Sequence, residues 1–240
     1  MRNYCKTIGA LAAASALVAG NARAGVEYEM HTGYSSEYLF RGRDRGDHLV
    51  EAGADAATEW NGLALSGGAW YGSFDDAQNS NEFDLYAEVT EDLGFVKASV
   101  GYIYYEYPQS DANASLAKLK NSQEVYFTVA RDFGFAEASL SYYWGIQGAS
   151  NDGYSQLALS KRFELTQCLT LNVGTNVGYL VEGGDFTAWT TKASLDWGFA
   201  EHAKLSPFIS GSITLGESTG SSWEHTGNEF AAGTMLSVGF

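Results

Sequence analysis

Four histidines are the residues best suited to hold a metal or activate a nucleophile, and their spacing keeps them apart. His31 lies on the polar parity of an alternating stretch that begins at Val26, whereas His48 has the opposite parity on the next stretch. Neighbouring extended segments therefore aim the two rings to opposite faces. His202 sits beside a short connection and His225 in a long one, so no pair has the geometry of a metal site. No metal and no other cofactor is expected. His48 is the one histidine placed to serve a membrane-facing His–Ser hydrolase, but no serine is placed with it to orient the ring. It reads as a rim residue, and no catalytic residue is assigned.

The carboxylates form a clearer pattern. Glu51, Asp55, Asp84, Glu88 and Glu124 all fall on polar parities, as do the counter-charges Arg41, Lys97 and Lys192. Rings of carboxylate in a water-filled passage favour cations, whereas rings of Arg or Lys favour anions. These eight residues are the candidate lining of such a passage. The stretch "DDAQNSNEFD" from Asp75 is rich in oxygen but lacks the glycine and spacing of a calcium loop. "ASLAKLKNSQ" from Ala114 reads as a turn of helix, either folded into the mouth as a constriction or, the favoured alternative, lying outside it.

Those residues need elements to position them. The first 24 residues read as a leader: a basic start at Arg2 and Lys6, an apolar run from Thr7 to Gly20, and Ala22-Arg23-Ala24 as the cleavage box. The remaining 25–240 then form one domain. Cys5 would leave with the leader, so Cys168 would remain as a lone thiol with no intramolecular disulfide. The leader holds basic residues and no acids, so its removal makes the chain still more acidic than its formal net charge of −15. That balance argues against nucleic-acid binding, which relies on basic patches.

From Val26 onward, apolar and polar residues alternate. Val26, Tyr28, Met30, Thr32, Tyr34, Tyr38 and Phe40 share one parity, opposite Glu27, Glu29, His31, Gly33, Ser35, Glu37 and Arg41. Period-two alternation of this length is a strand with one apolar face, long enough to cross a bilayer at a tilt. The pattern recurs to the end of the chain, giving twelve such runs. "EDLGFVKASVGYIYY" and "RDFGFAEASLSYYWG" are near-copies, so the hairpin is the repeating unit. Short connections such as Asn61-Gly62 alternate with longer polar ones, the first expected from Arg43 to Asp47.

A soluble barrel would turn its apolar face inward. Here that face carries large aromatics near strand ends (Tyr28, Trp60, Tyr104, Trp144, Tyr179, Trp197), and the polar face carries acids, Asn, Ser and Gly. The expectation is an all-β, antiparallel, up-and-down transmembrane barrel with lipid outside and water inside. The chain ends on Phe240 at the lipid-facing parity. A terminal strand of this kind is what the barrel assembly machinery recognises in the outer-membrane barrels that this sequence resembles.

"GYSSEYLFRG", the acidic second run and "GLALSGGAWYGSF", with "VGYIYYEYP" and "EVYFTV" further on, resemble the TorF-like porins, a bacterial family also labelled Gcw_chp. The likeness covers most of Gly25 to Trp144. It implies a barrel with a transport role in the outer membrane of a Gram-negative-type bacterium, and no catalytic residues. The sequence departs from the family where "RGRDRG" replaces the polar, Gln- or Ser-bearing stretch that commonly follows the Arg-Gly. The expected function is a monomeric or loosely oligomeric channel for passive diffusion of small solutes, cation-preferring or weakly selective. Its expected partners are outer-membrane lipids, lipopolysaccharide and the assembly machinery. A non-conducting structural or adhesive barrel and a membrane-embedded lipid hydrolase are the alternatives.

Overall fold

The computed structural model describes residues 25–75, 81–108, 121–148, 151, 153–216 and 227–240. The expected leader, residues 76–80 of the oxygen-rich loop, the helical turn over 114–120 and His225 lie outside the described residues. Twelve strands follow one another in chain order: β1 (Glu27–Phe40), β2 (Arg43–Trp60), β3 (Leu63–Asp75), β4 (Asn81–Asp92), β5 (Lys97–Glu106) and β6 (Ser122–Asp132), then β7 (Glu137–Gln147), β8 (Tyr154–Thr166), β9 (Leu169–Leu180), β10 (Asp185–Gly198), β11 (Ala203–Thr214) and β12 (Glu229–Gly239). Each strand pairs antiparallel with its sequence neighbours, and β12 pairs with β1 to close the barrel.

Turn chemistry fixes the short-turn end. Asn61 and Gly62 both have positive φ, 51° and 83°, the pairing that a two-residue hairpin turn requires and that Asn-Gly supplies at low cost. The near-copied hairpins fold alike. Gly94 and Gly134 adopt φ of 84° and 81°, and each donates its N–H to an aspartate two residues earlier, Asp92 or Asp132.

Closure solves the problem that hydrocarbon poses: no backbone donor or acceptor can be left unpaired there. The seam runs from Glu29–Gly239 to Ser35–Gly233, and Phe240 N–H donates to Tyr28 O at 2.9 Å. The terminal aromatic thus belongs to the sheet and faces outward. Val26, Leu85 and Val129 are 47, 44 and 49 % exposed, and Leu171 lies in register with outward-facing Phe163. Burying this face inside would have made a globule; instead it clothes the cylinder. Trp60, Trp144 and Trp197 are exposed on the same surface, with ring ends suited to the headgroup level.

The core lies away from the middle of the barrel. Tyr154, Leu180, Glu82, Thr187 and Ser212 are the largest fully buried side chains, and all five sit at the long-loop ends of their strands. The β1–β2 hairpin tip covers three of them: Arg41 lies over the Tyr154 ring, Tyr38 bonds Glu82, and Gly42 accepts from Ser212. Residues 43–47, expected as a loop, begin β2 instead, and the turn is only Arg41-Gly42, with φ of 54° and 78°. β1 leaves the wall after Ser35–Gly233, its last pair with β12, and its outward side then turns into the lumen with Tyr38 and Phe40. Both were assigned to the lipid face by parity; both pack inside, Tyr38 on Trp70 and Phe74 and Phe40 against Tyr105. The extra residue of this hairpin lies on β2, where Asp47 to Asp44 opposes Glu37 to Leu39, and it re-aims the β2 side chains beside it.

Outward residues near mid-strand should tolerate no charge. Phe127→Arg, at the centre of β6, is expected to cost about 2–4 kcal/mol in urea unfolding from vesicles. Leu165→Arg, beside the β8–β9 turn, should cost about 0–1 kcal/mol. Equal costs at the two positions would contradict the assignment of the lipid-facing band.

Candidate functional site

The inward face divides into two levels. At the long-loop level the hairpin tip lies across the lumen and meets the far wall. Gly42 O accepts a hydrogen bond from Ser212 Oγ of β11 at 3.1 Å. A Cβ at Gly42 would stand 2.3 Å from the Ala188 Cβ of β10, so only glycine lets the tip come so close.

Arg41 occupies the centre of this level. Its Nη1 and Nη2 donate to Glu124 Oε1 and Oε2 at 2.9 and 2.6 Å, a two-pronged pairing that matches the planar guanidinium to the carboxylate. Glu124 also accepts from Tyr105 OH at 3.1 Å and Asn151 Nδ2 at 2.9 Å. The guanidinium carbon lies 4.8, 4.4 and 4.6 Å from the ring centres of Phe40, Tyr143 and Tyr154, each a favourable cation–π contact. Both side chains are almost wholly buried, 7 and 8 % exposed. Asn151 is fixed in turn by donating to Tyr143 O and accepting from the N–H groups of Gly145 and Gly153. Beside this pair, Tyr38 OH donates to Glu82 Oε1 at 3.2 Å, and Arg45 reaches Tyr107 OH at 3.5 Å. Asp84 follows Glu82 on the same inward parity of β4.

Below the tip, the inward charges are more dispersed. Trp70 Nε1 donates to Glu51 Oε2 at 2.7 Å. Asp55 receives Tyr86 OH on one oxygen and faces His31 Nδ1 at 3.3 Å on the other. Glu88 accepts from Thr90 Oγ1 at 3.0 Å. Lys204 Nζ lies 3.5 Å from Glu29. Lys192 Nζ stands 4.0 Å from the centre of the Phe208 ring, and Lys97 is paired in register with Asp92. Small wall residues make room for these groups: the His31 ring covers Gly53, and Tyr126 covers Gly101.

The eight sequence-selected residues therefore separate. Arg41 and Glu124 meet in one buried pair with Asp84 nearby, whereas Glu51, Asp55, Glu88, Lys97 and Lys192 face the lower lumen. Reading by residue type missed Tyr38, Tyr105, Tyr143, Tyr154 and Asn151, which surround the pair. The signal available for the aromatics was the density of tyrosine at one end of the strands; nothing in the sequence marked Asn151. His48 faces outward with its Nδ1 2.8 Å from Tyr34 OH and its ring stacked on that tyrosine. Among the described residues no group of ligands could hold a metal ion. Cys168 lies in the β8–β9 turn, where its N–H donates to Thr166 Oγ1 at 3.2 Å.

A closed twelve-stranded cylinder with an apolar exterior, a polar and charged interior and short turns at one end is a transmembrane β-barrel of the bacterial outer membrane. The chain belongs to the bacterial family of unknown function designated Gcw_chp, whose profile matches residues 19–206. No curated protein matches the sequence. Among solved structures, an outer-membrane channel from Pseudomonas putida F1 aligns with a TM-score of 0.58 at 8% identity, covering 92% of this chain and 97% of that one. The KdgM porin in complex with disordered oligogalacturonate gives 0.54 at 8%, covering 89% and 99%. The translocator domain of the autotransporter NalP from Neisseria meningitidis gives 0.51 at 12%, covering 93% and 90%. Porins and a translocator domain share this fold, so the likeness shows architecture alone.

The covered glycines offer a check on the interior packing. A Cβ at Gly101 would stand 2.1 Å from the Tyr126 ring. Gly101→Ala is expected to displace that ring and cost about 1–3 kcal/mol in urea unfolding. A wild-type transition would show that Tyr126 does not rest on β5.

Proposed function

We propose that this barrel is a porin-like channel for passive diffusion of small solutes, with a preference for cations. The observation that carries the reading is the excess of carboxylate on the inward face below the hairpin tip. Glu29, Glu51, Asp55 and Glu88 face the lumen there, against Lys97, Lys192 and Lys204. In a narrow passage with low-dielectric walls, fixed charges of one sign raise the local concentration of the opposite ion. Twelve strands enclose a lumen between the side-chain-filled eight-stranded type and the wide porins, which suits small solutes. The KdgM porin was crystallised with oligogalacturonate, a polyanion. The acidic interior of this chain disfavours a ligand of that charge.

A non-conducting structural barrel is the second reading, and the filled outer level of the lumen favours it. A lipid hydrolase finds less support, because the hydrogen-bond partner of His48 is Tyr34 rather than a serine. The barrel would contact lipopolysaccharide with its exterior, and Phe240 would serve the assembly machinery as a terminal signal. Deleting Phe240 should lower the yield of heat-modifiable barrel in the outer membrane while leaving total synthesis unchanged; an unaltered yield would remove that role.

The charge reading is tested by Glu51→Gln, Asp55→Asn and Glu88→Gln together. In planar bilayers under a salt gradient, the reversal potential of the triple variant should move towards zero from the cation side. Unchanged reversal potentials from a conducting, correctly folded variant would remove these acids from selectivity.

A further inference from the structure

The hairpin tip has no strand neighbours. The β1–β12 ladder ends at Ser35–Gly233, and the β2–β3 ladder ends at Asp47–Asp75. Between these limits, residues 38–46 pair only with each other, through Leu39–Asp44 and Phe40–Arg43. Among the described residues, the contacts that hold the tip in the lumen are made by side chains, with a bond from Ser212 Oγ to Gly42 O beside them. The Arg41–Glu124 pair and its ring contacts are the main attachment, with Tyr38–Glu82 beside it. Undocking the tip would break those contacts without breaking one backbone hydrogen bond to β12 or β3.

The two strands also carry points at which the direction of the chain changes. On β1 the ladder to β12 stops at Ser35, where the strand leaves the wall; opposite Glu37 to Leu39 the extra residue lies on β2, between Asp47 and Asp44. On β2, Gly46 and His48 adopt φ of 149° and 54°, and pairing with β3 is irregular between Asp47 and Val50. A short rigid hairpin between two such points is the arrangement found in hinged elements, where a few residues absorb the change in φ and ψ.

We infer that the β1–β2 hairpin tip is the gate of the channel, closed in this structure and latched by Arg41 on Glu124. The inference rests on the channel reading above. The latch is reversible because the two charges regain water when they separate, whereas in the lumen their exchange of water for each other is nearly balanced. A tip that served only to fill space would gain nothing from a buried ion pair, since apolar residues of similar volume do as well or better. The tip also carries Arg43 and Arg45, so in the closed state it places positive charge across the mouth of an otherwise acidic lumen.

The test uses the full-length protein refolded in vesicles and planar bilayers, as wild type, Glu124→Gln and Arg41→Ala. Heat-modifiable migration confirms the barrel in each. Conductance reports opening, and trypsin added from the long-loop side reports release of the tip at its arginines, read as fragments by mass spectrometry. The expected result is a wild type that is mostly closed and protected, with both variants showing severalfold higher open probability and cleavage between residues 41 and 46. A wild type that already conducts steadily, with variants unchanged in conductance and equally protected, would overturn the gate. So would variants that stay closed and protected, because the tip would then be a fixed filling. Cleavage gained in the variants without conductance in any form would leave a releasable plug and refute the channel reading instead.

Discussion

The constraint on which this structure depends is that hydrocarbon accepts no unpaired backbone polar group. It forces β12 back onto β1 and makes each strand a member of two ladders for as long as lipid lies outside. Above the lipid that requirement lapses, and there β1 and β2 leave their neighbours. The last outward pair before the departure is Tyr34 with His48, two amphipathic rings suited to the headgroup level. The same rule that closes the cylinder across the bilayer therefore sets where its first hairpin is free to turn inward.

Once inside, the hairpin changes the meaning of the nearby acids. Glu82, Asp84 and Glu124 on β4 and β6 stand where water is largely displaced, and a carboxylate without a partner is costly to bury there. Arg41 answers Glu124, and Arg45 approaches the same group of side chains through Tyr107. The basic "RGRDRG" gains a physical reason: the tip and the acidic wall suit each other. The lower acids Glu51, Asp55 and Glu88 have neutral partners, Trp70, Tyr86 and Thr90, with His31 beside Asp55. In the proposed channel they are the ones left to set the potential of the passage.

The alternation of apolar and polar residues made most of the fold legible. It specified the strand count, the antiparallel order, the outward face, and opposite sides for His31 and His48, because a strand leaves a side chain only two directions. It failed where that premise failed. Tyr38 and Phe40 follow their parity faithfully, yet β1 leaves the wall after Ser35 and folds into the lumen, and no local preference of "SSEYLF" announces the departure. Arg41-Gly42 was read as the approach to a loop when it is itself the turn, since arginine is an uncommon choice for positive φ.

Composition and period alone thus determined a cylinder, its lipid-facing side and an acidic lining, because each is a property of single strands and of their sum. Tertiary structure decided which charges meet. Arg41 and Glu124 are far apart in the chain and on strands that are not neighbours, and they touch because a hairpin crosses the lumen. Contacts across an enclosed space depend on how far a free segment bends, and no strand period encodes that distance.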